Sequence, residues 1–89
     1  MAEVDAQVGR LLGALDDMGA TDDTIVVVTS DHGEMLGDHG LMGKLGFFDQ
    51  AFHIPLVIRY PPVTGNSAGT GAVVEAFTEN VDVMPTLLD

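Results

Sequence analysis

The chain has 89 residues, 46% of them hydrophobic, and no cysteine. Three basic residues against 14 acidic ones give a formal charge of −11. This balance excludes a basic nucleic-acid surface and electrostatic attraction to anionic membranes, and the length sets one small domain, unaided by disulfides, as the upper limit.

So apolar a composition in so short a chain suits a segment whose apolar faces are covered by other parts of a larger protein. No apolar run approaches the ~20 residues of a membrane span. The N-terminal Met1-Ala2-Glu3-Val4-Asp5 has neither the basic region nor the apolar stretch of a signal peptide, so the chain as given reads as cytoplasmic.

Val4, Val8, Leu11, Leu12, Leu15 and Met18 recur at helical spacing and predict a helix of about four turns. Gly19 is its stop, and Thr21-Asp22-Asp23 is a polar turn. Gly9 and Gly13 weaken the helix in isolation and share one face, where a backbone has room to approach. Ile25-Val26-Val27-Val28-Thr29 reads as a strand buried on both faces, as in a parallel sheet covered by helices. Gly33 to Gly46, with five glycines, reads as a functional loop.

Phe47 to His53 suits a short helix, with Phe47 and Phe48 in the core and His53 a structural histidine. Leu56 to Tyr60 is a second strand, opened by Pro55 and closed by Pro61-Pro62. Gly65 to Gly71 reads as a turn region, and Ala72 to Phe77 as a third, weaker strand. Asp82 suits the cap of a last helix whose first turn holds Pro85. The chain stops at Asp89, inside that helix, so it reads as truncated.

In open α/β sheets, ligands bind beyond the carboxyl ends of strands. Asp31 and His32 lie there, after the first strand. A hard carboxylate oxygen beside a neutral imidazole nitrogen suits a divalent cation. Gly33 allows the turn that lets two adjacent side chains converge. Ser30-Asp31-His32 is no catalytic triad, since the members of a triad meet through folding and not as neighbours.

Thr29-Ser30-Asp31-His32-Gly33-Glu34, followed by Gly37-Asp38-His39-Gly40 and Lys44, resembles the sulfatase family of the alkaline phosphatase superfamily. His53-Ile54-Pro55-Leu56-Val57-Ile58 and Phe77 to Thr86 look most like its phosphonate monoester hydrolase and arylsulfatase branch. The resemblance covers nearly the whole chain. It implies an α/β fold, a fragment of an alkaline-phosphatase-like, mostly parallel sheet with helices on both faces. Residues 1–89 are then a partial catalytic domain, truncated at both ends.

The resemblance further implies hydrolysis of sulfate esters, phosphate diesters or phosphonate monoesters with one divalent ion, which is calcium, manganese or magnesium. Asp31 and His32 match two metal ligands, and Lys44 matches the catalytic lysine that contacts the transferred anion. Glu34 and His39 either orient those ligands or pack the loop; the residues alone leave both open. The family's nucleophile arises in a Cys/Ser-x-Pro-x-Arg motif. The prolines here are at 55, 61, 62 and 85, and none has arginine two residues later. Two upstream aspartate ligands are also outside the chain. The expected partners are an anionic ester substrate and the rest of the catalytic domain, with self-association of the lone chain. By itself the chain is expected to be inactive. Two alternatives stand beside this reading: a two-zinc phosphodiesterase of the same superfamily, and a non-catalytic remnant without a nucleophile.

Overall fold

A computed structural model describes residues 1–61 and 71–89. The elements are helix α1 (Ala2–Asp17), a 3-10 turn (Thr21–Asp23), strand β1 (Val26–Thr29), a second 3-10 turn (Asp38–Gly40), helix α2 (Asp49–Phe52), strand β2 (Leu56–Arg59) and helix α3 (Asn80–Leu88). They fall into two compact units. Of the described residues, one unit contains 1–28 and 56–61, and the other contains 29–55 and 71–89.

In the first unit, α1 forms over the predicted stripe. Val8 and Leu15 are half-buried, while Val4, Leu11 and Met18 remain exposed. Its end is a Schellman motif. Gly19 adopts φ 66°, its N–H donates to the Asp16 carbonyl at 2.9 Å, and the Ala20 N–H donates to the Leu15 carbonyl at 2.9 Å. Two of the carbonyls left open at the helix end are thereby satisfied. Gly9 and Gly13, expected to admit a close backbone, face open space, with nothing within 4 Å of a Cβ at either.

β1 and β2 pair in a two-stranded sheet. Arg59 Nη2 donates to the Thr21 carbonyl at 3.3 Å and ties the end of β2 to the first 3-10 turn. The strand expected to be buried on both faces is only half covered: Val26 and Val27 are half-buried, Ile25 and Val28 exposed. A two-stranded ribbon has no layers of its own to cover it. The described residues contain this one small sheet, so the larger, mostly parallel sheet of the expectation is not among them.

In the second unit the core is small. Met35, 1% exposed, and Ala51, 2% exposed, are its fully buried apolar residues among those described. Ala51 lies in α2, which runs over four residues and not the seven expected. Gly33 packs directly on α2. Its N–H donates to the Ala51 carbonyl at 2.8 Å. A Cβ at position 33 would lie 1.9 Å from the Gln50 carbonyl oxygen. Gly33 is therefore required by the close approach of two backbones, and its φ is not among the positive ones.

Several expectations fail here for lack of covering layers. Phe47 is 97% exposed and rests on Phe52, their ring centroids 5.8 Å apart, so within this chain it is not core, while Phe48 is half-buried. His53 is exposed, and its backbone N–H closes α2 on the Asp49 carbonyl at 2.7 Å. Ala72 to Phe77 forms no strand, and Phe77 is fully exposed. With no strand among the described residues to pair with, its β-branched residues build no ladder. The turn expected over residues 65–71 lies outside the described residues except for Gly71.

α3 begins three residues earlier than expected. Glu79 is its N-cap, and Asp82, at the third helical position, accepts the Glu79 N–H at 2.8 Å in a capping box. Pro85 consequently lies inside the helix, past its first turn. Thr86 Oγ1 donates to the Asp82 carbonyl at 2.7 Å in the same stretch. Among the described residues, no helix is long and apolar enough to cross a membrane.

Two outcomes follow. The 89-residue chain expressed alone will associate with itself or melt without a sharp transition, because its apolar side chains outnumber what its two small units cover. Sedimentation and thermal melts decide this, and a monomer melting cooperatively above ~65 °C would contradict it. Gly33→Ala, made in the protein expressed from the longest reading frame that encodes this chain, will lose about 1–3 kcal/mol in denaturant melts, as overpacked sites do. Unchanged stability would mean that the contact with α2 is dispensable.

Candidate functional site

The turn after β1 is tied by its own side chains. Ser30 Oγ donates to the His32 carbonyl at 2.7 Å, so the serine hydroxyl serves the backbone and not the imidazole. The His32 N–H donates to Asp31 Oδ1 at 3.0 Å. One carboxylate oxygen is thereby fixed, and the other, Oδ2, faces His32 Nε2 at 3.5 Å.

The histidine ring is oriented from behind. His32 Nδ1 lies 2.7 Å from the Gly33 carbonyl oxygen. A carbonyl can only accept, so in the neutral ring Nδ1 carries the proton and Nε2 keeps its lone pair. This is the arrangement by which metal-binding histidines are held, with the far nitrogen donating to an oxygen. Two donors about 2.0–2.3 Å from one ion stand about 3–3.6 Å apart at ordinary coordination angles. The 3.5 Å between Nε2 and Oδ2 falls in that range.

Asp31 is suited to remain an anion. The hydrogen bond from the His32 amide holds its carboxyl below the usual carboxylate range, assisted by the neighbouring imidazole and, last, by the positive charge of Lys44. Its side chain is 86% exposed and that of His32 is 37% exposed, so both are open to an incoming ion.

Among the described residues, no third His, Cys, Asp or Glu joins this pair in a group that could hold a metal. Asp31 and His32 fit a divalent ion in donor type, tautomer and spacing, as two members of a larger donor set.

Lys44 is placed by the glycine-rich loop. The Met35 N–H donates to the Gly43 carbonyl at 2.8 Å. The Gly43 N–H donates in turn to a Glu34 carboxylate oxygen, which also takes the Leu36 N–H at 3.5 Å. The loop is closed at its neck by this bracket, whose inner wall is the buried Met35. Lys44 is the next residue out, exposed. Among the described residues it makes no ion pair.

Glu34 therefore packs the loop and does not touch the Asp31–His32 pair. His39 does the same, stacking on Phe48 with ring centroids 4.1 Å apart and planes at 12°. Beside it, Gln50 Nε2 donates to Asp38 Oδ2 at 3.0 Å and joins loop to α2.

One residue near the turn was not singled out from the sequence. Asn80, the first residue of α3, donates from Nδ2 to the Ser30 carbonyl at 3.0 Å and to the Asp31 carbonyl at 3.5 Å. The Glu79-x-x-Asp82 spacing could have located the helix start, but no local signal links Asn80 to residues 50 positions away.

The sulfatase family profile matches residues 1–89. The chain is 46% identical, over all of its length, to the multifunctional alkaline phosphatase superfamily protein PehA of Trinickia caryophylli, of which it spans 17%. It is 42% identical over 86 residues to the N-acetylglucosamine-6-O-sulfatase of Bacteroides thetaiotaomicron, covering 97% of this chain and 15% of that protein. The solved structure of the phosphonate monoester hydrolase SpPMH from Silicibacter pomeroyi superposes with a TM-score of 0.83 at 50% identity, over 97% of this chain and 16% of that one. That of Agrobacterium radiobacter superposes with a TM-score of 0.65 at 60% identity, over 67% of this chain and 12% of that one. Matched from end to end by the profile and by relatives of this identity, the chain belongs to the sulfatase family.

Proposed function

We propose that this chain is the part of a metal-dependent ester hydrolase that supplies two metal ligands, Asp31 and His32, and an anion-contacting lysine, Lys44. The observation that carries the proposal is the 3.5 Å pairing of Nε2 with Oδ2, with the imidazole lone pair freed by the Gly33 carbonyl. The substrates are sulfate esters, phosphate diesters or phosphonate monoesters, in keeping with the sulfatase and the phosphonate monoester hydrolases among its relatives.

When bound, a divalent ion supplies the positive charge that steadies the oxygens of such an ester during attack. Asp31 brings negative charge to hold the cation, and His32 brings a neutral donor, so together they bind it without cancelling its charge. Lys44 adds a second positive centre, needed where the chain as a whole carries −11. The nucleophile and the remaining metal donors belong to the rest of the catalytic domain, whose presence also covers the exposed apolar faces of α1, Phe47 and Phe77. That the chain spans 15–17% of these curated relatives agrees with such a division.

The test is turnover of aryl sulfate and aryl phosphonate esters, with added calcium, manganese or magnesium, by the protein from the longest reading frame. The 89-residue chain alone will show none. In the longer protein, Asp31→Ala will abolish turnover. Full activity in Asp31→Ala, or activity of the short chain that Asp31→Ala removes, would overturn this division of the site.

Lys44 provides a separate outcome. Its loop offers the ammonium no ion pair among the described residues, so its work is on the substrate. Lys44→Ala will lower kcat by roughly 10²–10³, as loss of one preorganised electrostatic donor does. Stability will move by less than ~0.5 kcal/mol. Lys44→Arg will restore little, since a planar fork replaces a compact charge. Steady-state kinetics and denaturant melts on the three proteins check this, and an unchanged kcat in Lys44→Ala returns the lysine to the solvated surface.

A further inference from the structure

We propose that Asn80 is a positioning residue for the Asp31–His32 pair: it fixes the backbone from which both side chains project. The inference rests on the reading of these two residues as metal ligands and goes beyond it in assigning what holds them.

The turn is secured on one side by Gly33 against α2. Its other side has one attachment from a distant element among the described residues, and that is Asn80. Nδ2 reaches two successive carbonyls, Ser30 at 3.0 Å and Asp31 at 3.5 Å. Because both partners are carbonyls, the amide nitrogen must face them, and Oδ1 turns the other way. There the Thr29 hydroxyl stands 3.5 Å from it and can donate. One side chain thus engages three consecutive residues, Thr29, Ser30 and Asp31, through both ends of its amide.

The chemistry explains the residue type. Two N–H groups on one nitrogen are needed to serve two carbonyls. Aspartate has no donor and would set its charge against both oxygens. Serine has a single O–H. Asn80 is itself held firmly, since it begins α3 where the Glu79–Asp82 capping box fixes the helix start. The peptide units after Ser30 and after Asp31 set the direction of the Asp31 Cα–Cβ bond and of the His32 amide. That amide in turn grips Asp31 Oδ1. Release of the two carbonyls therefore loosens the separation of Oδ2 from Nε2 without removing either ligand.

The experiment titrates Mn²⁺ into the metal-free protein from the longest reading frame, following free Mn²⁺ by electron paramagnetic resonance. The proteins are wild type, Asn80→Ala, Asn80→Ser and Asp31→Ala, each with a metal-free thermal melt. Loss of an outer partner of a metal ligand typically costs 10–100-fold in affinity. We expect Asn80→Ala to raise the Mn²⁺ Kd by about that factor, and Asn80→Ser, which keeps one donor, by less. The metal-free melting temperature should stay within about 3 °C of wild type, as for an exposed substitution. Wild-type affinity in both Asn80 variants, with binding lost in Asp31→Ala, overturns the role of Asn80 and spares the metal site. Wild-type affinity in Asp31→Ala overturns the metal reading itself. A melting temperature lowered in proportion to the lost affinity in both Asn80 variants makes Asn80 a folding residue and also overturns the proposal.

Discussion

The contact of Gly33 with α2 is the constraint from which the site is built. The Gly33 N–H reaches the Ala51 carbonyl, and the Gln50 carbonyl occupies the space where any side chain at 33 would begin. The carbonyl of the following peptide, that of Gly33, lies 2.7 Å from His32 Nδ1 and takes its proton. One residue, Gly33, thus both packs on α2 and orients the histidine ring. A short helix of four residues is sufficient for this, because what it supplies is two carbonyls at its end and not a large apolar face.

Electrostatics then act on a turn that is already shaped. The chain carries a large negative charge, and an anionic ester would be repelled by most of its surface. Asp31, kept ionised chiefly by the His32 amide, adds to that repulsion unless a cation sits on it. A carboxylate kept in its charged form at an open turn is accessible to a cation, as the proposed function requires. Lys44 supplies compensating charge from a loop whose neck is closed by Glu34, Met35 and Gly43. Glu34 spends its own charge on a backbone amide, which leaves the lysine unpaired by its nearest acidic neighbour on that neck.

The small core explains why local devices carry so much of the order. Met35 and Ala51 bury little area, so hydrophobic burial alone fixes few torsions. Hydrogen-bonded ends do this instead: the Schellman close of α1, the capping box of α3, and the bracket at Met35 and Gly43. Each satisfies backbone groups that a larger core would otherwise bury and pair. The exposed side chains of α1, Phe47 and Phe77 fit the proposal that a longer protein completes the packing.

Patterns with a short period were legible in the sequence. The stripe of α1 and the stop at Gly19 follow from helical spacing and from the tolerance of glycine for a left-handed residue. The two β-branched runs gave strands at Val26–Thr29 and Leu56–Arg59. Asp31, His32 and Lys44 stood out by residue type, position after a strand and likeness to one family. What tertiary structure alone decided lies at long range. Gly33 reads as a turn residue until α2 is seen to approach it. Ala72 to Phe77 reads as a strand, but none of the described residues pairs with it, and a strand is defined by its neighbour and not by its own residues. Asn80 carries no local mark at all, since its hydrogen bonds span 50 positions of sequence and exist only once the chain has folded back on the turn.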